Sequence, residues 1–248
     1  MKRKWILLNI TFLMSIALSH CSKEIYDLSI KNRQVPLVPN IDEQYALISQ
    51  ETQKQIGIAR IRVKSYKTAD RLFYEMKSLT KLQKVNYKNY QILELFIEST
   101  SIIDSHFKLR SFKSRLIRNR EKSIRSGYYK WPYFYVKDDG KKARIHSPKG
   151  IFSSLVERYF IQNDLKKQGD AAVFHFLNIV SLKPEQERIV FDSKKIYKSP
   201  SGEIPVNIFK IVNYTIKYNS TYWVSQDNKV LRKSDFKGAV MWHLLKMK

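Results

Sequence analysis

The side chains able to do acid–base, nucleophilic or metal chemistry are few and scattered. Downstream of residue 40, His106, His146, His175 and His243 lie in separate stretches, with no H-E-x-x-H or H-x-x-x-H spacing to bring two imidazoles to one metal. The single cysteine, Cys21, rules out an internal disulfide and a cysteine-rich zinc site. Asp104 with His106, and Glu185 with Glu187, stand two apart, the spacing at which strand residues share a face and paired groups can act as acid and base. The two glutamates follow Pro184 in a polar stretch, however, and are expected to be solvated. His146-Ser147 lacks an oxyanion signature and reads as the end of a hairpin. The seven glycines never come closer than ten residues apart, so the phosphate-cradling loops G-x-G-x-x-G and G-x-x-x-x-G-K-[ST] and the nucleophile elbow G-x-S-x-G are all absent. The expectation is a non-enzymatic protein with no catalytic, cofactor-binding or metal-binding residues.

Charge placement is the feature that rises above background. The chain of 248 residues carries 46 Lys and Arg against 22 Asp and Glu, a formal charge of +24. Such a surplus favours polyanionic partners. Residues 106–149 alone hold fourteen basic and three acidic residues, with Tyr128, Tyr129, Trp131, Tyr133, Phe134 and Tyr135 interleaved. Cations mixed with stacking rings are what single-strand nucleic-acid grooves use. Within this segment Arg110, Arg115, Arg118, Arg120, Lys122 and Arg125 are the candidate anion-binding residues. The competing reading is that the basic residues are a solvated face and the aromatics a sheet core.

The N-terminus reads as an address. Met1-Lys2-Arg3-Lys4 is a positive n-region, and residues 5–19 form an uncharged, mostly apolar stretch of 15, shorter than the roughly 20 needed to span a bilayer. Residues 1–20 are therefore expected to be an export signal peptide. Two cleavage readings stay open. Ala17-Leu18-Ser19 is an A-x-A-like site that would leave His20 first, whereas Leu18-Ser19-His20-Cys21 resembles the bacterial lipoprotein box, with Cys21 as the lipid attachment site. Export places the protein in the periplasm or makes it an outer-membrane lipoprotein, held to the membrane if Cys21 is acylated. It also argues against nucleic acid as the partner and towards lipopolysaccharide, acidic polysaccharide or another anionic envelope component.

Any such site must be positioned by the elements behind it. Residues 21–40, with Pro36 and Pro39 and little apolar periodicity, read as a tether, and residues 41–248 as one β-rich domain. Its 43% hydrophobic content can supply a core. Gly57, Ala59, Ile61, Val63 and Ser65 alternate with Arg60, Arg62 and Lys64, the period-two pattern of a half-buried strand. Similar alternation runs through 72–77, 93–98 and, in one unbroken series, 206–218. Asp138-Asp139-Gly140 and Gln226-Asp227-Asn228-Lys229 supply hairpin turns. Two segments read as helices: 151–161, where Phe152, Leu155, Val156, Tyr159 and Phe160 make a single stripe, and 170–181, with Asp170 as N-cap and a Val173, Phe176, Leu177, Val180 stripe. The fold class expected is mainly β: a single curved antiparallel sheet or half-barrel with one or two covering helices on its concave side.

Three short motifs carry a resemblance: Ile56-Gly57-Ile58-Ala59, the run 170–177 with Leu182-Lys183-Pro184, and Trp223-Val224-Ser225-Gln226-Asp227. Through them residues 41–235 or so resemble a family of exported bacterial proteins known only as a domain of unknown function. The resemblance implies a curved antiparallel half-barrel, which is similar to that of the lipoprotein carriers that hold acyl chains in a concave face. The functional expectation is thus a cell-envelope protein binding an amphiphilic ligand or an envelope partner on its curved sheet. The alternative is a polyanion-binding module acting through residues 106–149.

Overall fold

The structure, a computed structural model, describes residues 40–87, 90–199, 202–235 and 239–247. All belong to the unit Val35–Lys248. Cys21, the expected signal peptide and the expected tether up to residue 39 lie outside the described residues.

Among the described residues, fourteen strands form one antiparallel sheet. The strands are β1 (Ile41–Ser49), β2 (Gln55–Thr68), β3 (Arg71–Tyr87), β4 (Tyr90–Asp104), β5 (Leu109–Arg118), β6 (Glu121–Lys130), β7 (Tyr133–Asp138) and β8 (Lys141–His146), then β9 (Ala171–Asn178), β10 (Lys183–Ser199), β11 (Gly202–Asn213), β12 (Tyr218–Ser225), β13 (Val230–Asp235) and β14 (Val240–Met247). Between β8 and β9 lies α1 (Leu155–Tyr159), continued by a π-helical turn (Phe160–Asp164). The spatial order is a meander whose first and last strands are neighbours, so β8 and β9 are the edges and the curved sheet does not close.

A strap ties the β9 edge back onto the sheet. In residues 151–153, the carbonyl of Ile151 accepts from Leu109 N–H and Ser153 N–H donates to the Phe107 carbonyl, while Phe152 exchanges bonds with His175 and Leu177. The seam therefore falls at the start of β5, and β6, β7 and β8 continue past it. Tying an edge in this way satisfies backbone groups that an open sheet leaves exposed.

Period two decides which side chains enter the core. Tyr45, Leu47, Ala59, Leu82, Leu95 and Val240 form one buried cluster, flanked by Ile61, Ile97 and Trp242. Gly57 faces this interior because no side chain fits there: a Cβ would stand 2.1 Å from the Lys81 carbonyl oxygen of β3. A second, aromatic chain runs from Tyr74 through Phe107, Tyr159 and Phe160 to Phe174, with ring centroids 4.9 to 5.8 Å apart, and seats α1 against the inner face. The stripe predicted for 151–161 is buried throughout: Phe152, Leu155, Val156, Tyr159 and Phe160.

Three expectations are corrected. The helix expected over 151–161 is confined to Leu155–Tyr159 and the π turn after it, because residues 151–153 spend their backbone hydrogen bonds in the strap, with Phe152 bridged to Lys108 and Phe176. Residues 170–181 are not a helix; 171–178 are β9, paired along their whole length with β10. The buried side chains are Ala172, Phe174, Phe176 and Leu177, a period-two set at its start, with His175 outside. Asp170 does act as a cap, but its Oδ2 accepts from the N–H groups of Lys166 and Lys167 and so closes the turn before the strand. The alternation over 206–218 is likewise two strands, β11 and β12, joined by residues 214–217. Asn213 makes the break, its Oδ1 accepting from the N–H groups of Thr215 and Ile216 in an Asx turn, with Lys217 at φ 50°. The expected Asp138-Asp139-Gly140 hairpin is present, with Asp139 at φ 45° and Gly140 at φ 93°.

Candidate functional site

The six basic candidates do not share one face. Register pairs Ser114 with Arg125 and Arg115 with Ile124. Ser114 is buried and Ile124 exposed, so Arg125 points to the inner side of β6 and Arg115 to the outer. Arg125 is engaged: its Nε lies 2.9 Å from Asp138 Oδ1, and its Nη1 donates to the Val180 carbonyl across the seam. Burial works to raise the Asp138 pKa, but the bonds from Arg125 and Ser123 outweigh it and leave it below the ordinary value. Arg110 pairs with Asp104 at 2.7 Å and lies over the Tyr129 ring, and Arg115 lies over Phe96. Arg118, Arg120 and Lys122 are exposed around the β5–β6 turn. The aromatic stretch is also divided by register: Tyr128 stacks on Tyr135 on the outer face, whereas Phe134 is buried against Phe112.

The inner face holds acids instead. Glu43 on β1 is 0% exposed and takes a bidentate ion pair from Arg158 of α1, with Arg158 Nη1 2.8 Å from its Oε1 and Nη2 on its Oε2. Tyr45 O–H donates to the same Oε2 at 2.6 Å. Burial pulls the Arg158 pKa down, but Glu43 outweighs it, so the guanidinium stays charged. Burial also pushes the Tyr45 phenol up, keeping it a neutral donor.

Beside this pair, under α1, lies a cavity of about 270 Å³. Its apolar wall includes Met76, Leu109, Phe176, Leu177 and Ile211. Its polar end is built by Glu157 of α1, Glu185 and Glu187 of β10, Asn213 of β11, Tyr222 of β12 and Lys233 of β13. Register brings these together: Glu187 pairs with Asn213, and Tyr222 with Lys233. Glu185 accepts from Asn178 at 2.8 Å, Ser181 at 3.2 Å and Asn213 at 2.7 Å. Glu157 accepts from Tyr222 O–H at 2.5 Å. Asn213 Nδ2 reaches Glu187 Oε1 at 3.1 Å, and Glu187 Oε2 receives no hydrogen bond among the described residues. Burial, then the neighbouring Glu157, push the Glu187 pKa up to about 8, against the pull of Asn213 and Lys233.

Glu185 and Glu187 are thus not solvated loop residues; they are 2% and 7% exposed. The signal was in the sequence: they keep the parity of Ile189 and Phe191, both buried, so continuing that alternation backwards past Pro184 places them inside. Asp104 and His106 form no acid–base pair. Asp104 Oδ1 accepts from the N–H groups of His106 and Lys108, which makes it a turn cap, and His106 is exposed.

A curved, unclosed antiparallel sheet with one short internal helix defines an open, barrel-like β module. A solved structure of that kind is a beta-barrel-like protein of domain of unknown function DUF1849 from Brucella abortus, which superposes with a TM-score of 0.56 at 10% identity over 87% of this chain and 98% of that chain. The likeness is one of fold, and it is to a domain of unknown function, as the short motifs led one to expect. No protein-family model matches the sequence, and no curated protein does.

Proposed function

We propose that this is a non-enzymatic binding protein of the bacterial envelope that carries one small amphiphilic ligand in the concave face of its half-barrel. The observation that carries the reading is the cavity under α1, apolar along one wall and polar at one end. A cavity of about 150 Å³ suffices to take up benzene, so 270 Å³ suits a ligand of about ten non-hydrogen atoms. The envelope location rests on the basic, then apolar N-terminus and on Cys21 at its end.

The test uses a neutral fluorescent probe of about that size, 1-naphthylamine, titrated into the purified chain. Saturable one-to-one enhancement is expected, and Ile216→Trp, at an exposed residue of the cavity lining, should abolish it while circular dichroism stays unchanged. Absence of saturable binding, or full binding by the Trp variant, would refute the reading.

A further inference from the structure

We propose that the ligand's head group is a cation, an alkylammonium, received by the carboxylates of Glu157, Glu185 and Glu187 at the polar end of the cavity. The inference rests on the cavity being a ligand site and adds the chemistry of what enters it. Three carboxylates, at 8%, 2% and 7% exposure, line a cavity whose wall also carries Met76, Leu109, Phe176, Leu177 and Ile211, with Ser101, Ser153 and Ser154 among them. Burying a carboxylate is costly unless it is matched by a counter-charge or hydrogen bonds. Glu185 has three donors and Glu157 has Tyr222, but Glu187 keeps one oxygen with no donor while lining the cavity.

The cations on hand do not supply the deficit. Arg158 directs both terminal nitrogens to Glu43. Among the described residues Lys233 is the one cation in the cavity wall, against three acids; its Nζ also lies over the rings of Tyr222 and Trp242 at 5.0 and 5.3 Å, and Glu187 Oε2 receives no hydrogen bond from it. Nor do the acids suit a metal: among the described residues no three acidic, histidine or cysteine groups are arranged to hold one. An ammonium differs in what it needs, because its three N–H donors can be taken up one at a time by separately placed oxygens. Its alkyl chain would lie along Met76, Leu109, Phe176 and Ile211. The ammonium would take the place of the proton that Glu187 holds near neutral pH. The groups facing Glu187 that tune this exchange are Glu157, Glu185, Lys233 and the phenol of Tyr222.

The experiment is competition against 1-naphthylamine by three ligands of one chain length: octylamine, octanol and octanoate. A carboxylate hydrogen bond to a charged donor corresponds to a preference for octylamine over octanol of about ten- to a hundredfold, with octanoate weakest. Octylamine affinity should rise between pH 6 and pH 8 while octanol stays flat, and Glu187→Gln should remove both the preference and the rise yet still bind the probe. If the probe binds but octylamine competes no better than octanol, the cationic head is overturned and the cavity stands. If the probe itself fails to bind, both fall. A second variant, Glu185→Gln, guards against misfolding of the first: undiminished octylamine preference in both variants would also overturn the assignment.

Discussion

Glu43 and Arg158 should be the most sensitive polar pair in the fold. Glu43→Gln keeps the shape of the side chain but leaves the guanidinium of Arg158, 13% exposed, without its counter-charge. Removing one partner of a buried ion pair costs about 3–5 kcal/mol, because the remaining charge is stranded. With an unfolding entropy of about 2.1 cal/mol/K per residue over roughly 210 residues, that loss lowers the melting midpoint by about 7–11 °C. Arg158→Met removes the charge and keeps most of the stem, and should cost a similar amount by stranding Glu43 with only the Tyr45 hydroxyl. The double variant should cost clearly less than the two single losses added, since neither charge is then left alone. Urea unfolding followed by the fluorescence of Trp242, whose ring lies 5.7 Å from Tyr45, reads the cycle, and thermal scans read the midpoint. The control is Asp42→Asn in the Arg60–Asp42 pair, which has similar 2.7–2.8 Å bonds but stands much more open to water, and it should shift the midpoint far less. A Glu43→Gln midpoint within about 2 °C of wild type would refute the claim that this pair anchors α1, as would strictly additive losses.

Two further outcomes are expected. Gly57→Ala should destabilise by about 1–3 kcal/mol in urea unfolding, because the new Cβ meets the backbone of β3 and not a movable side chain, whereas an unchanged midpoint would mean that β2 and β3 separate at no cost. Folded Glu187 keeps its proton up to about pH 8, while the unfolded chain loses it near the ordinary 4.5, so the native state binds the extra proton in that window and stability falls as pH rises through it. Glu187→Gln removes this dependence. The variant should match wild type at pH 4 and gain on it progressively to pH 8, and a difference that does not vary with pH would contradict the raised pKa.

What could be read from the chain followed the range of the interactions. Local patterns with one solution were legible: the Gly57–Val63 alternation and the Asp139-Gly140 turn stand as read, whereas of the stripe over 151–161 only Leu155, Val156 and Tyr159 lie in α1, Phe160 opening the π turn and Phe152 bridging strands outside it. Residues 171–178 have two solutions, because Val173, Phe176 and Leu177 satisfy a helical stripe while Ala172, Phe174 and Phe176 satisfy a strand. Pairing with β10, which no local pattern encodes, decides between them. The basic segment was misleading for a related reason. Composition brings Arg115 and Arg125 together, but strand register puts them on opposite faces of the sheet. Asn213 reads as one more residue of a long strand, but its side chain does two things at once, its Oδ1 capping the turn at 214–217 and its Nδ2 reaching Glu185 and Glu187.

The distribution of charge separates structural from available groups inside a protein of formal charge +24. Among the described residues four glutamates are buried on the inner side, and desolvation gives each the same reason to find a partner. Glu43 has a bidentate arginine and a phenol, a complete match, and it lies where α1 meets β1. Glu185 is met by the neutral donors Asn178, Ser181 and Asn213, which satisfy oxygen lone pairs without cancelling charge, and Glu157 accepts from Tyr222. Glu187 is short of a donor as well as a counter-charge, and burial beside Glu157 answers this by raising its pKa. The gradient from complete to incomplete matching runs from the helix anchor into the cavity. An interior evolved for packing alone would place its best-paired and worst-paired acids without regard to free volume; here the acid lacking a donor is in the wall of the cavity.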